Sequence, residues 1–214
     1  MNIKDAETKL FSQLKINDQS IVTDGVANEK EYLDSKYKIL YVMKEVNSYQ
    51  NGGWSLTEFL SNGAITQTWD NIARWTEGIL NLEKDIDWEY LSKDNDLRRH
   101  KYLKKIASIN LKKTPGRHTS IANEISMATK NNKDFIKKQV TLYQPNIIVC
   151  CGTSGLFVKY CIDSDFTWQM TSRGIKYMIL DNTIIVSFSH PEARVADHYL
   201  YYALIDAIRE ILEE

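Results

Sequence analysis

The sequence predicts an α/β protein, a three-layer α/β/α domain with a small central, mainly parallel sheet. Two observations indicate this class. Short, uniformly apolar runs bounded by polar residues are typical of strands buried on both faces, and they occupy residues 39–43, 106–111, 147–151 and 183–188. Segments with helical spacing of apolar residues alternate with these runs, which is typical of a parallel sheet covered by helices.

A single domain over residues 1–214 accounts for the whole chain. Hydrophobic residues make up 43% of the sequence, enough for a sizeable core, and no linker, repeat or low-complexity tract divides it. Residues 1–37 are expected to form an N-terminal helical extension that packs on the domain. An amphipathic helix over residues 3–16 would lead this extension.

Further helices follow from apolar periodicity and capping patterns. The expected ranges are 55–61, 66–82, 85–104, 119–129, 132–143, 154–162 and a C-terminal helix. Ser55 and Glu58 form a capping-box pattern at the start of the first. The highly charged segment 85–104 is expected to be a solvated helix. Residues 175–180 and 183–188 flank Asp181-Asn182 as a hairpin-like pair.

Charge and cysteine content limit the classes of function. The 27 basic and 28 acidic residues give a net charge of −1, so only a local basic patch could support nucleic-acid binding. The N-terminus lacks the apolar core of a signal peptide, and no run reaches the ~18 apolar residues of a membrane span. Three cysteines in apolar stretches predict buried thiols in a reducing compartment. We therefore expect a cytoplasmic, monomeric protein with no membrane partner, no iron–sulfur cluster, no metal and no cofactor.

Polar side chains follow three of the predicted strands. The first strand is followed by a carboxylate and an amide, the second by an amide and two cations, and the last by a hydroxyl and an imidazole; these are Glu45, Asn47, Asn110, Lys112, Lys113, Ser189 and His190. The carboxyl ends of parallel strands meet at one edge of the sheet, where ligands bind. The sequence therefore predicts a site that activates water, reads a polar ring edge and stabilises an anion.

Each of these residues also has a structural interpretation. Glu45 is equally well explained as a surface acid on a loop, Asn110 as a turn cap and His190 as a structural hydrogen-bonding group. The convergence of all three favours a site.

The order of these segments resembles that of the uracil-DNA glycosylase superfamily. The first motif corresponds to Met43-Lys44-Glu45-Val46-Asn47, and the following glycine-aromatic stretch to Gly52-Gly53-Trp54. Ser108-Ile109-Asn110-Leu111-Lys112 is similar to the strand that ends in a base-reading asparagine. The third strand resembles residues 144–152, and the His-Pro-Ser motif resembles His190-Pro191-Glu192. The resemblance covers about residues 38 to 213.

The resemblance implies excision of uracil or a related damaged base from DNA, with no cofactor. The base leaves the stack and enters a pocket. Glu45 would orient or deprotonate water and offset the cationic sugar, and His190 would stabilise the anion on the leaving base. Base contacts would come from Trp54, Tyr49, Asn110 and Asn47, and phosphate or DNA contacts from Lys112, Lys113, Arg117, Ser189 and Arg194.

Three departures from the family pattern keep other functions open. Met43 stands in place of a glycine, Val46 in place of a proline, and Glu192 in place of a phosphate-binding serine. One alternative is a nucleic-acid or nucleotide-binding module of the same fold in which catalysis is altered. Another is a hydrolase of small N-glycosides, which the near-neutral charge allows. The basic patch around Lys112 is equally consistent with a solvated loop.

Two other features allow different chemistry. Cys151 with His190 would make a thiol nucleophile and its base. The turn Gly152-Thr153-Ser154-Gly155 would cradle a phosphate, although it lacks the spacing of known phosphate loops and is better explained as a strand-to-helix turn.

Overall fold

Helices pack around a central, mostly parallel sheet. The computed structural model describes residues 2–14, 21–47, 52–117, 119–162, 165 and 167–213. Within these residues the elements in chain order are α1 (Ile3–Phe11), β1 (Val22–Thr23), β2 (Gly25–Val26), α2 (Glu29–Leu33), β3 (Ile39–Met43), β4 (Trp54–Ser55), α3 (Leu56–Ser61), α4 (Gln67–Leu80), α5 (Trp88–Leu91), α6 (Asn95–Tyr102), β5 (Ile106–Asn110), α7 (Ala122–Tyr143), β6 (Ile147–Cys151), α8 (Ser154–Cys161), β7 (Gln169–Met170), β8 (Lys176–Leu180), β9 (Thr183–Phe188) and α9 (Asp197–Glu213).

The central sheet has a parallel middle and antiparallel edges. Among the described residues its order is β2-β5-β3-β6-β9-β8-β7. The pairs β5–β3, β3–β6 and β6–β9 are parallel, so the carboxyl ends of these four strands meet at one edge. Strand β2 joins β5 in the antiparallel direction, and β8 and β7 extend the other side. A separate parallel pair joins β1 to β4.

Two apolar layers cover the faces of the sheet. Alternate residues of a strand point to opposite faces. On β3, Tyr41 and Met43 pack with α3, α4 and α9, whereas Leu40 and Val42 pack with α2, α7 and α8. All five residues of this strand are buried. The predicted mixed α/β class with a central, mostly parallel sheet is confirmed.

The N-terminal segment is only partly helical, so the expected helical extension over residues 1–37 is wrong in this respect. Strand β2 belongs to the central sheet, with Gly25 opposite Ser108 and Val26 opposite Ala107. A two-residue strand is too short to leave a periodic pattern in the sequence. The segment is therefore part of the sheet.

The charged segment 85–104 is not one solvated helix. It forms α5, α6 and a 3-10 turn over Leu103–Lys105, and Arg98 and Arg99 are buried. Arg98 Nε lies 2.7 Å from Glu77 Oε2, and Arg99 pairs with Asp70 on α4. Buried arginines persist where carboxylates and carbonyls satisfy their donors, and the sequence does not show such distant partners.

The remaining predictions of secondary structure agree with the structure to within two or three residues at the ends, except in two helices. The first, expected over residues 3–16, ends at Phe11. The strands over 39–43, 147–151 and 183–188 are confirmed, as is the β8–β9 hairpin, and the strand expected over 106–111 ends one residue earlier, at Asn110. Ser55 Oγ accepts from the Glu58 N–H at 3.2 Å and caps α3. The two helices expected over 119–129 and 132–143 are one continuous helix, α7.

Candidate functional site

A cavity opens at the carboxyl edge of the parallel strands. Its volume is about 550 Å³, which is within the usual range for small-molecule sites. Polar groups from the strand ends and apolar groups from α3 and α4 line it together; they are Met43, Glu45, Val46, Asn47, Trp54, Leu56, Phe59, Thr66, Thr68, Trp69, Asn110, Arg117, Ser120, His190 and Glu192. Glu45, Asn110 and His190 thus share one cavity, as the parallel topology predicts.

Glu45 lies just beyond β3 with its carboxylate almost fully buried. Its Oε2 accepts from Lys112 Nζ at 2.6 Å, and its side chain is 3% exposed. The loop after β5 packs against it so closely that a Cβ at Gly116 would overlap the carboxylate. The Gly116 N–H donates to the Val46 carbonyl at 2.8 Å, which holds the two loops together. Glu45 is therefore a fixed carboxylate at the wall of the cavity.

Asn110 is the last residue of β5 and is 3% exposed. Its backbone N–H donates to Asp24 Oδ2 at 2.7 Å. Within the described residues no hydrogen bond occupies its side-chain amide. That amide offers two donors and one acceptor to a ligand in the cavity.

His190 follows β9, and its neighbour fixes the tautomer of the ring. The Glu192 backbone N–H donates to His190 Nδ1 at 3.1 Å. A neutral imidazole that accepts at Nδ1 carries its hydrogen on Nε2. Burial lowers the pKa of His190, Lys44 lowers it further, and Glu192 opposes both. Near neutral pH, the ring is therefore an uncharged donor.

Helix α4 anchors the loop that carries His190. Asn71 Nδ2 donates to the Pro191 carbonyl at 2.8 Å and to Asp197 Oδ1 at 2.9 Å. Glu192 Oε1 accepts from the Thr68 N–H at 3.2 Å and from the Thr68 hydroxyl. Because free N–H groups and a positive dipole end lie at a helix N-terminus, the Glu192 carboxylate caps α4.

Aromatic side chains form another wall. Trp54 lies on β4, and its ring meets Phe59 edge to face with centroids 6.1 Å apart. Trp69 on α4 also lines the cavity, and Asn47 contributes an exposed amide at its rim. Tyr49, the second predicted base contact, lies outside the described residues.

The predicted phosphate-binding residues do not all lie on one surface. The prediction that Lys113 contacts phosphate is wrong, because Lys113 is 1% exposed and its Nζ lies 2.8 Å from Asp24 Oδ1. Lys112 is paired with Glu45 and, at 3.3 Å, with Glu124.

Three of the predicted phosphate contacts are exposed. Arg117 lines the cavity. Ser189 and Arg194 are exposed beside the His190 loop but are not among the described lining residues. Arg117 is therefore the one of these three that lies at the cavity itself.

Several residues at the site were not predicted. Lys44 lies beside the Gly152 turn and lowers the pKa of His190. It belongs to the first motif stretch, so its position was a usable signal. Phe59, Thr68 and Asn71 lie on helices whose sequences carry no sign that they approach a strand end.

The thiol-nucleophile alternative is wrong. Cys151 is fully buried and does not line the cavity. Burial raises the pKa of the Cys151 thiol well above its ordinary value, which keeps it protonated and unreactive. Gly152, with φ of 68°, makes the tight turn from β6 into α8, in line with the strand-to-helix interpretation.

The described residues contain no membrane-spanning helix and no cluster that could hold a metal ion. Within them, no helix combines the length and the apolar content needed for a membrane crossing. No group of three or more His, Cys, Asp or Glu side chains in the same part of the chain could hold a metal ion. Against known proteins, no family model matches the chain, and no curated protein matches it.

Proposed function

We propose that this protein hydrolyses the N-glycosidic bond of uracil or a related base in DNA, with a uracil-DNA glycosylase-like fold. One observation carries the proposal: Glu45, Asn110 and His190 line one cavity of about 550 Å³ at the carboxyl edge of the sheet. The motif resemblance along the chain supports it. Cleavage of this bond builds positive charge on the sugar and negative charge on the base, and the three groups match those demands.

His190 stabilises the leaving base. Its ring donates from Nε2 because Nδ1 accepts the Glu192 N–H. A fixed, neutral donor aimed at a base carbonyl stabilises the negative charge that develops there as the bond breaks. It does so without first having to lose a proton.

Glu45 acts on the sugar side. A buried carboxylate offsets the cationic character of the sugar and orients or deprotonates the attacking water. Lys112 Nζ, 2.6 Å away, holds this carboxylate in place. The Glu45–Lys112 pair thus keeps the acid aligned between turnovers.

Asn110 and Trp54 recognise the base. The Asn110 amide pairs with the donor and acceptor atoms of the pyrimidine edge. The Trp54 ring packs against the face of the base once it has left the stack. Arg117, exposed at the rim, contacts a phosphate of the strand.

Cleavage of a uracil-containing oligonucleotide tests the proposal. The purified protein is expected to produce an abasic site, and Glu45→Gln or Asn110→Ala to lower the rate about 100-fold or more. Glu124→Gln is the matched control, because Glu124 pairs with the same lysine but is exposed and does not line the cavity. Absence of activity on a panel of damaged bases contradicts the proposal, and binding without turnover supports a binding module instead.

A small N-glycoside is the second candidate substrate. The observation that favours it is the pairing of Lys112 and Lys113 with carboxylates, which leaves less positive charge for a DNA backbone. Turnover of free deoxyuridine is compared with that of the oligonucleotide at two salt concentrations. A DNA substrate shows a rate that falls steeply with salt, whereas a free nucleoside does not.

A further inference from the structure

A side chain from the N-terminal segment holds the end of β5. On one side of this strand, the Leu111 N–H donates to the Met43 carbonyl at 3.0 Å. On the other side, β2 pairs only as far as Ser108. The Asn110 N–H donates there to Asp24 Oδ2 at 2.7 Å. The Asp24 carboxylate therefore takes the place of a strand partner at the residue that faces the cavity.

Buried donors fix the Asp24 carboxylate itself. Lys113 Nζ lies 2.8 Å from each of its oxygens, and neither of these two side chains is exposed. Gln139 Nε2 donates to Asp24 Oδ1 at 2.9 Å, and its own oxygen accepts from Lys113 at 2.7 Å. With three donor groups around it, including the Asn110 N–H, this carboxylate has little freedom to move.

A buried ion pair contributes little net stability. The loss of solvation of both charges offsets their attraction, and apolar residues of similar size would give a protein that is at least as stable. This pair is joined by one hydrogen bond to the backbone of Asn110. The Asp24–Lys113 pair is therefore better explained by an effect on the position of Asn110 than by its contribution to stability.

We infer that Asp24, held by Lys113, is a positioning residue that fixes the Asn110 amide against the base and so determines which base the cavity accepts. The inference rests on the proposed function. Uracil and cytosine present opposite donor and acceptor patterns at the edge that an amide reads. A small shift of the Asn110 backbone therefore changes the discrimination between them before it changes the fold.

Two charge-matched double variants isolate the hydrogen bond. Asp24→Asn with Lys113→Met removes both charges but keeps an oxygen that accepts from the Asn110 N–H. Asp24→Ala with Lys113→Met removes the charges and the acceptor. Neither leaves an unpaired buried charge, so both are expected to fold.

The readout is the ratio of kcat/KM on uracil-containing and cytosine-containing strands, together with the affinity for free uracil. The variant that keeps the acceptor is expected to stay within about threefold of the wild type, and the variant that lacks it to lose about tenfold, the value of one hydrogen bond. Glu77→Gln is the control. It breaks another buried pair, with Arg98 at 2.7 Å, away from the cavity, and is expected to lower the melting temperature with the ratio unchanged.

The outcomes separate this inference from the proposed function. If the wild type cleaves but the two double variants have the same uracil-to-cytosine ratio of kcat/KM, the positioning role is overturned. It is also overturned if Glu77→Gln changes this ratio as much as the variant that lacks the acceptor. A wild type that neither cleaves a uracil-containing strand nor binds uracil overturns the proposed function, and this inference with it.

Discussion

Lys112 and Lys113 are neighbours in the chain, yet their side chains have different surroundings. Lys112 pairs with Glu45 at the wall of the cavity and also reaches the exposed Glu124. Lys113 pairs with Asp24 in the interior. Two cations that look like one basic patch in the sequence therefore serve different regions.

The difference between these regions is one of solvation. At the cavity, Lys112 is 15% exposed and Glu45, although only 3% exposed, lines the cavity, so this pair can meet water or a ligand there. Charges in the interior have lost their solvation, so each depends on its partner and the pair acts on geometry. The following predictions test this contrast, from the largest expected effect to the smallest.

The two lysines are expected to differ most in their effect on stability. Lys113→Met leaves Asp24 buried without its cation and is expected to lower the free energy of unfolding by about 3–5 kcal/mol. Lys112→Met leaves Glu45 beside the cavity and is expected to cost about 1–2 kcal/mol. Urea denaturation of both variants at pH 7 measures the difference. Equal losses would contradict the division into a buried and a cavity-facing region.

The interior is also expected to respond to pH through Glu7. Its Oε1 accepts from the Val26 N–H at 2.9 Å, and burial raises the pKa of Glu7 from 4.5 to about 7. The folded state thus favours the protonated acid, so this contribution is complete below pH 4.5 and is lost as the pH rises to 7.

Between those two pH values the wild type is expected to lose about 3 kcal/mol of its free energy of unfolding, and Glu7→Gln is expected not to show this loss. Urea denaturation at pH 4.5 and 7.5 measures this difference, with the exposed Glu58→Gln as the control. If the stability of the wild type and that of Glu7→Gln change equally across this range, the raised pKa of Glu7 is contradicted.

At the cavity, His190 changes stability with pH in the opposite direction, because burial lowers its pKa. Its contribution is present above the ordinary pKa of 6.5 and is lost as the pH falls through the lowered pKa.

The carboxylate at the mouth of the cavity is expected to have the smallest effect. Glu192→Ala removes the cap on α4 and should lower stability by about 1 kcal/mol. Glu83→Ala, which removes an exposed pair with Lys36, should leave the stability almost unchanged. Thermal unfolding compares the two. If Glu192→Ala is no worse than Glu83→Ala, the contact with Thr68 does not act as a cap.

Most of the sheet could be predicted from the sequence. The strands around Ile39, Ile106, Ile147 and Ile184 are predominantly apolar, and burial on both faces of a parallel sheet favours that pattern. Strand β2 could not be predicted, because its two residues have no periodicity and depend on β5 for pairing.

The residues of the candidate site were predictable where they follow strands. Asn110 ends a parallel strand, and Glu45 and His190 each lie two residues beyond one, so topology alone brings the three together. Lys113 was misplaced, because successive side chains near a strand end point to opposite sides. The cap that Glu192 forms on α4 also could not be predicted from the sequence, because Glu192 and Thr68 are 124 residues apart in the chain.

The sequence by itself determined that the four central strands are buried and approximately where each of them ends, because local hydrophobic patterns encode both. Only the tertiary structure decided which charge meets which. Asp24 and Lys113 are 89 residues apart, and their pairing depends on β2 lying beside β5. The strength of an ion pair depends on distance and solvation, and both are properties of the folded chain.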